Sequence, residues 1–161
     1  MTTLAALAVP FGPSAIRYPA DWQVASYVVP NSFYQSIAFL GPESLPDPCT
    51  RGPSLTSCTN WPPIGLPPNG IVVGLWSDSF PGWSFDPTVG HAVTVGGQRA
   101  TLDVRSPDPG CVAIGGDESV VVTIPMAVQW NWWEIDACLR GPDHASGEAM
   151  LRDMLGLPVA P

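Results

Sequence analysis

Val89-Gly90-His91-Ala92-Val93-Thr94-Val95-Gly96-Gly97-Gln98-Arg99-Ala100-Thr101-Leu102-Asp103-Val104 is the stretch from which the fold follows. Gly96 and Gly97 accept the positive φ of a primed two-residue turn without steric cost, so the stretch reads as a β-hairpin. Pairing outward sets Val95 opposite Gln98, Val93 opposite Ala100, His91 opposite Leu102 and Val89 opposite Val104. Six of these eight side chains are apolar and all eight share one face. Ala92, Thr94, Arg99, Thr101 and Asp103 make the other, wetter face. A sheet with one buried and one more polar side is the expectation.

Upstream, Gly70 to Trp76 is apolar on both alternating faces, as in a central strand covered on two sides. Residues 77–88, with Pro81-Gly82 and Trp83, read as a loop. Trp22 to Val29 and Phe33 to Leu40 read as strands joined through Pro30-Asn31-Ser32, with Phe33, Ile37 and Phe39 on one face. Between them and the central strand, residues 41–69 hold eight prolines and two cysteines, which excludes a helix or a central strand. This connection is expected to drape an edge or end of the sheet. Residues 1–16 read as an N-terminal arm. Their apolar stretch is broken at Pro10 and preceded by no Lys or Arg, unlike a signal peptide, so any export signal is expected outside this chain.

Downstream, Ser119 to Pro125 and Gln129 to Leu139 read as two neighbouring antiparallel strands, with residues 123 and 131 near pairing. Asp143 as N-cap, Gly156 beyond the last turn and Pro158 after it bound a helix over residues 143–155. The whole is predicted to be one α+β domain, residues 1–161. Its single, mainly antiparallel sheet has six or seven strands, and the C-terminal helix packs on one face.

Composition narrows the function. The chain has 161 residues and only 12% charged ones, with no lysine, six arginines and a net charge of −8. A nucleic-acid binder needs a basic footprint, and an anionic membrane surface attracts one too. Neither fits, and no apolar run reaches the length of a membrane span. Cys49, Cys58, Cys111 and Cys138 have neither zinc-finger nor CxxC spacing. Two disulfides in an exported domain is the reading that follows, against four reduced thiols in a cytosolic one. Four cysteines allow three connectivities. Cys49 and Cys58 share one Pro-rich loop, so the expected pairs are Cys49–Cys58 and Cys111–Cys138. The second pair should link the strand over 129–139 to the turn before strand 119–125, with the chain folding back through Gly115-Gly116.

No catalytic signature stands out, and no metal or cofactor is expected. His91 and His144 are the only histidines. His91 reads as a core or rim residue of the hairpin. His144 falls in the first helical turn, where the helix dipole disfavours its protonation. Ser77-Asp78-Ser79 follow the central strand, but no nucleophile elbow or phosphate loop is present. Gly115-Gly116-Asp117-Glu118 reads as a tight turn rather than a calcium loop. Asp78 and Asp86 could form a carboxylate pair only if the loop between them folds back. The seven tryptophans are many for this length. On the strand from Gln129, Trp130, Trp132, Glu134, Asp136 and Cys138 share one face, and Trp133, Ile135, Ala137 and Leu139 lie on the other. Exposed Trp beside carboxylates can stack on sugar rings and bind their hydroxyls. The plainer expectation is that a helix or the N-terminal arm covers at least one of Trp130 and Trp132. Trp76, Asp78, Trp83, Asp86, His91, Trp130 and Trp132 are thus the binding candidates. A non-catalytic extracytoplasmic module binding a protein, a glycan or a small molecule is the first expectation. A small hydrolase using Asp carboxylates with His91 or His144 is the second.

Asp47-Pro48-Cys49-Thr50 with Cys58, Gly110-Cys111-Val112-Ala113-Ile114-Gly115, and Ala137-Cys138-Leu139-Arg140-Gly141-Pro142-Asp143 are three further marks. Together they resemble uncharacterised exported or lipoprotein-like proteins of high-GC actinobacteria, over residues 20–157. The resemblance implies an extracellular or cell-surface domain and the same cysteine pairing, but no activity. The order of elements, with Tyr18-Pro19-Ala20-Asp21-Trp22 at the entry, is also similar to a PsbP-like α/β/α sandwich, a likeness of fold alone.

Overall fold

The computed structural model describes residues 3–6, 16–27, 29 and 33–160. Near the N-terminus, β1 (Leu4–Ala6) pairs antiparallel with β2 (Arg17–Pro19), so part of the expected arm forms a small ribbon. The remainder of that arm, and the Pro30-Asn31-Ser32 turn, lie outside the described residues. β3 (Gln23–Ala25) is a shorter strand than the alternation over 22–29 suggests, and β4 (Tyr34–Gly41) follows. Within the Pro-rich segment, β5 (Cys49–Arg51) and β6 (Thr56–Cys58) form a second ribbon that brings Cys49 opposite Cys58. The remaining strands are β7 (Ile71–Ser79), β8 (His91–Val95), β9 (Gln98–Arg105), β10 (Glu118–Pro125) and β11 (Asn131–Leu139). Helices α1 (Pro109–Ala113) and α2 (His144–Met154) complete the elements of the described residues.

Seven strands form one antiparallel sheet in the order β3-β4-β7-β11-β10-β9-β8. The Gly96-Gly97 hairpin has the expected register from Val95↔Gln98 to His91↔Leu102. Pairing stops there, because Gly90 precedes β8 at φ 65° and Val89 never enters the ladder. β7 is central, between β4 and β11, as its two apolar faces require. It also runs on through Ser77, Asp78 and Ser79, which the sequence reading places in a loop. Their polar side chains tolerate a strand because both neighbours supply backbone partners: Trp132↔Asp78 on one side and Tyr34↔Asp78 on the other.

The two faces are covered differently. On one, Ala38, Leu40, Val73, Leu75, Val122, Ile135 and Leu139 pack beneath Leu151 and Met154 of α2. Asp143 caps this helix by accepting from Ser146 N, and Gly156 at φ 66° follows its last turn, as expected. On the other face, Phe39, Val72 and Trp76 are covered by Leu45, Trp61 and Leu66 of the Pro-rich segment. That segment therefore roofs a face rather than an edge, since Val72 and Trp76 would otherwise leave large apolar surface in water. Phe39 lies in this second layer, whereas Ile37 packs with the first. A β-bulge between Ser36 and Ala38 inserts one residue and separates the two side chains expected to share a face.

Both disulfides, Cys49–Cys58 and Cys111–Cys138, are formed. β10 and β11 pair three residues out of the expected register, with Thr123 opposite Glu134 and Ser119 opposite Cys138. Cys111 reaches Cys138 from α1, a short helix the sequence reading did not anticipate. Asp108 nucleates it, accepting from Gly110 N and Cys111 N. The return runs through Gly115 at φ 95° and Gly116, whose missing Cβ leaves room for both sulfurs.

Candidate functional site

The face roofed by the Pro-rich segment carries a row of acids. Alternation along β11 puts Trp132, Glu134, Asp136 and Cys138 on this side, and pairing aligns them with Asp78, Trp76, Gly74 and Val72 of β7. Gly74 matters here. A Cβ at this position would collide with the Trp76 ring, so the glycine lets the indole lie across it. Asp136 stands directly opposite Gly74.

The result is a cleft of about 180 Å³ lined by Asp78, Glu134 and Asp136 together with Trp61, Trp76 and Tyr34. Trp61 and Trp76 meet edge to face with centroids 5.2 Å apart, and Phe39 backs both. Tyr34 Oη donates to Asn60 Oδ1 at 2.7 Å on the rim. Asp108 also lines the cleft, but its oxygens already cap α1 and accept from Trp61 Nε1 at 3.2 Å. Arg105 lines it from β9 and lies 3.9 Å from Asp103.

The acids are poorly served with donors. Trp132 Nε1 donates to Glu134 Oε2 at 3.4 Å. Asp136 Oδ1 and Asp78 Oδ2, by contrast, are buried with no hydrogen-bond partner. Burial pushes the Asp78 carboxyl up to about 8, with the charge of Glu134 adding to it. Burial also pushes Asp136 up to about 8; Glu134 and Asp108 act in the same direction, and Arg105 and Ser119 offset part of the shift. Glu134 is raised too, chiefly by burial, against which the Trp132 indole and Arg105 work. At neutral pH the cleft therefore holds protons on Asp78 and Asp136, because burial and the neighbouring acids outweigh what Ser119 and Arg105 do for the Asp136 anion.

Of the residues singled out from sequence, Trp76 and Asp78 line the cleft. Trp132 stands next to it, stacked on Trp83 with centroids 4.3 Å apart. Among the described residues, the cover over Trp132 is thus another indole, from the loop after β7. Trp130 is not on the strand: it sits in the preceding turn at φ 65° and is 42% exposed. Asp86 is exposed and accepts from Thr88 N and Oγ1, which holds its carboxyl below the usual range. It belongs to a local turn and makes no pair with Asp78, whose acidic neighbour is Glu134. His91 is exposed at the start of edge strand β8.

His144 lies at the opposite end of β11, with Nε2 2.5 Å from Asp117 Oδ1 and Nδ1 3.9 Å from Glu118. The hydrogen bond to Asp117 raises its pKa, so the partner carboxylate outweighs the helix-dipole effect expected from its position. Neither histidine lines the cleft. Among the described residues no three His, Cys, Asp or Glu side chains converge as metal ligands. The residues the sequence reading left off its candidates are Glu134, Asp136 and Trp61. The signal for the first two was present in their alternation with Trp132. Nothing local pointed to Trp61. No protein-family model, curated protein or solved structure matches the chain.

Proposed function

We propose that the protein is an extracytoplasmic, non-catalytic binding module whose ligand occupies the cleft between β7, β11 and the Pro-rich roof. One observation carries this reading. Asp136 and Asp78 line a cleft walled by Trp61 and Trp76, and each keeps one buried carboxyl oxygen, Asp136 Oδ1 and Asp78 Oδ2, without a hydrogen-bond partner. An unsatisfied buried polar atom costs on the order of 1–3 kcal/mol. A ligand that brings donors recovers that cost, and buried acids kept at such expense are characteristic of sites rather than of scaffolding. The extracytoplasmic placement is supported by the two disulfides, which persist where thiols are oxidised. A small ligand suits the cleft's size better than a glycan chain or a folded protein does.

The test is a thermal-shift screen of small polar compounds against the wild type and Asp136→Asn. The expected result is that at least one chemical class raises the melting temperature of the wild type and leaves the variant unmoved. A screen in which every compound shifts both proteins equally contradicts the reading. The hydrolase alternative retains its carboxylates, Asp78 among them, but has no histidine at the cleft.

A further inference from the structure

We propose that the cleft receives a compact organic cation, an alkylammonium or guanidinium group, held by Asp78, Glu134 and Asp136 beside the rings of Trp61, Trp76 and Tyr34. The proposal rests on reading this cleft as the ligand site. Asp136 lines the cleft and is only 6% exposed, and its Oδ1 is buried without a hydrogen-bond partner. Asp78 is half-buried, and its Oδ2 is likewise buried without a hydrogen-bond partner. Held protonated at neutral pH, these acids become pure acceptors once ionised, and the complement the ionised pair then lacks is a group with N–H donors and positive charge.

The charged groups facing the site come from every packed element. Asp78 comes from β7, Glu134 and Asp136 from β11, Asp108 from the cap of α1 and Arg105 from β9; Tyr34 of β4 is the remaining titratable group. One arginine against four carboxylic acids leaves the fully ionised cleft negative. Arg105 is moreover half exposed beside Asp103, at the mouth rather than the floor. A chain of net charge −8 draws cations in from solution. The three cleft carboxylates do not converge as metal ligands, which fits a larger organic group better than a bare ion. A volume of about 180 Å³ is below the roughly 300–1,000 Å³ of pockets for drug-sized ligands, so a head group fits and a long chain does not. A free amine and a lysine or arginine side chain of a partner protein offer the same chemistry. Entry of the cation displaces protons from Asp78 and Asp136, because a positive neighbour favours their charged forms.

The experiment is calorimetric titration of the disulfide-bonded chain at pH 6, 7, 8 and 9 and constant ionic strength. The probes are n-butylammonium, guanidinium at low millimolar concentration, a doubly capped Ala-Lys-Ala peptide and glucose as the neutral control. Butylammonium affinity is expected to rise about tenfold per pH unit for each proton displaced, levelling off above pH 8, with proton release into weak buffer. It is expected to fall at least tenfold in both Asp136→Asn and Asp78→Asn. If one variant does not fold, the other carries the comparison, and proton release by the wild type is read independently of both. Binding of the peptide alone, with the same pH and variant dependence, supports the proposal and assigns the cation to a partner's side chain. Cation binding that is independent of pH, or unchanged in the variants, overturns it. Glucose binding lost in the variants, with no cation bound, overturns the cation and keeps the cleft as a ligand site. No binding by any probe overturns both.

Discussion

Trp83 and Trp132 stack with their ring centroids 4.3 Å apart and their planes 17° from parallel. The contact fastens the loop after β7 onto β11, next to the cleft. Both indoles are half-buried, so Trp83→Ala and Trp132→Ala are each expected to cost about 1–3 kcal/mol, less than the ~3–5 kcal/mol of a fully buried tryptophan. A double-mutant cycle by urea denaturation should show a coupling of about 0.5–1.5 kcal/mol. Strict additivity of the two losses would contradict the stack.

Trp130 is expected to behave oppositely, although the strand pattern groups it with Trp132. It is 42% exposed and holds φ at 65°, a region glycine enters freely. Trp130→Gly is expected to leave stability unchanged or raise it by up to about 1 kcal/mol, with Trp130→Ala the less stable of the two. Equilibrium denaturation of the pair checks this, and a loss of several kcal/mol in Trp130→Gly would refute it.

Gly74 provides the space that Trp76 occupies. Gly74→Ala places a Cβ inside the Trp76 ring, and β7 is too central to move away. A loss of about 1–3 kcal/mol, the range for overpacking, is expected, with a shifted tryptophan emission spectrum as the indole leaves its place over the strand. An unchanged spectrum and stability would mean that the ring does not lie there.

The two disulfides should separate under graded reduction. Cys49 and Cys58 are partly exposed on a small ribbon, whereas Cys111 and Cys138 are fully buried. Mild reductant is expected to open Cys49–Cys58 first. Replacing Cys111 and Cys138 together by Ala should cost about 3–4 kcal/mol from the 27-residue separation alone. Alkylation without reduction should label no cysteine, and mass spectrometry after partial reduction reads the order. Opening of Cys111–Cys138 first would contradict the burial.

Stability should fall as pH rises from 5 to 9. Asp136 binds its proton more tightly folded, with a value of about 8, than unfolded, near 3.8. Its stabilising effect is therefore complete below the unfolded value and is lost as pH climbs through the folded one. The slope for one such group is about 1.4 kcal/mol per pH unit. His144, raised by Asp117, acts in the same direction above 6.5, so the difference between wild type and Asp136→Asn isolates the aspartate. Parallel curves for the two proteins would show that Asp136 is not held protonated.

What the sequence made legible was local. Gly96-Gly97 sets the register of its own hairpin, and Asp143 and Gly156 mark the ends of α2 with chemistry lying within a few residues of each end. The paired cysteines followed from their places in the chain. The cleft was not legible because its parts are distant: Trp61 meets Asp108 across 47 residues, and the Pro-rich segment carries no period that says which face it covers. Ser77-Asp78-Ser79 lack strand propensity and are strand only because β4 and β11 flank them. A single inserted residue at Ile37 reversed a face, and a three-residue shift moved Cys138 opposite Ser119. Alternation did place Glu134 and Asp136 beside Trp132. Only the roof above them encloses the two acids in a cleft.

The central proposal, that Asp78 and Asp136 stand desolvated, each with a buried unpartnered oxygen, in a ligand-binding cleft, is tested most directly by NMR titration of their side-chain carboxyl carbons. In the free protein both are expected to titrate near 8, and saturating n-butylammonium is expected to move both midpoints down by at least one pH unit. Midpoints near 4 in the free protein, or midpoints that the cation does not move, would contradict the account.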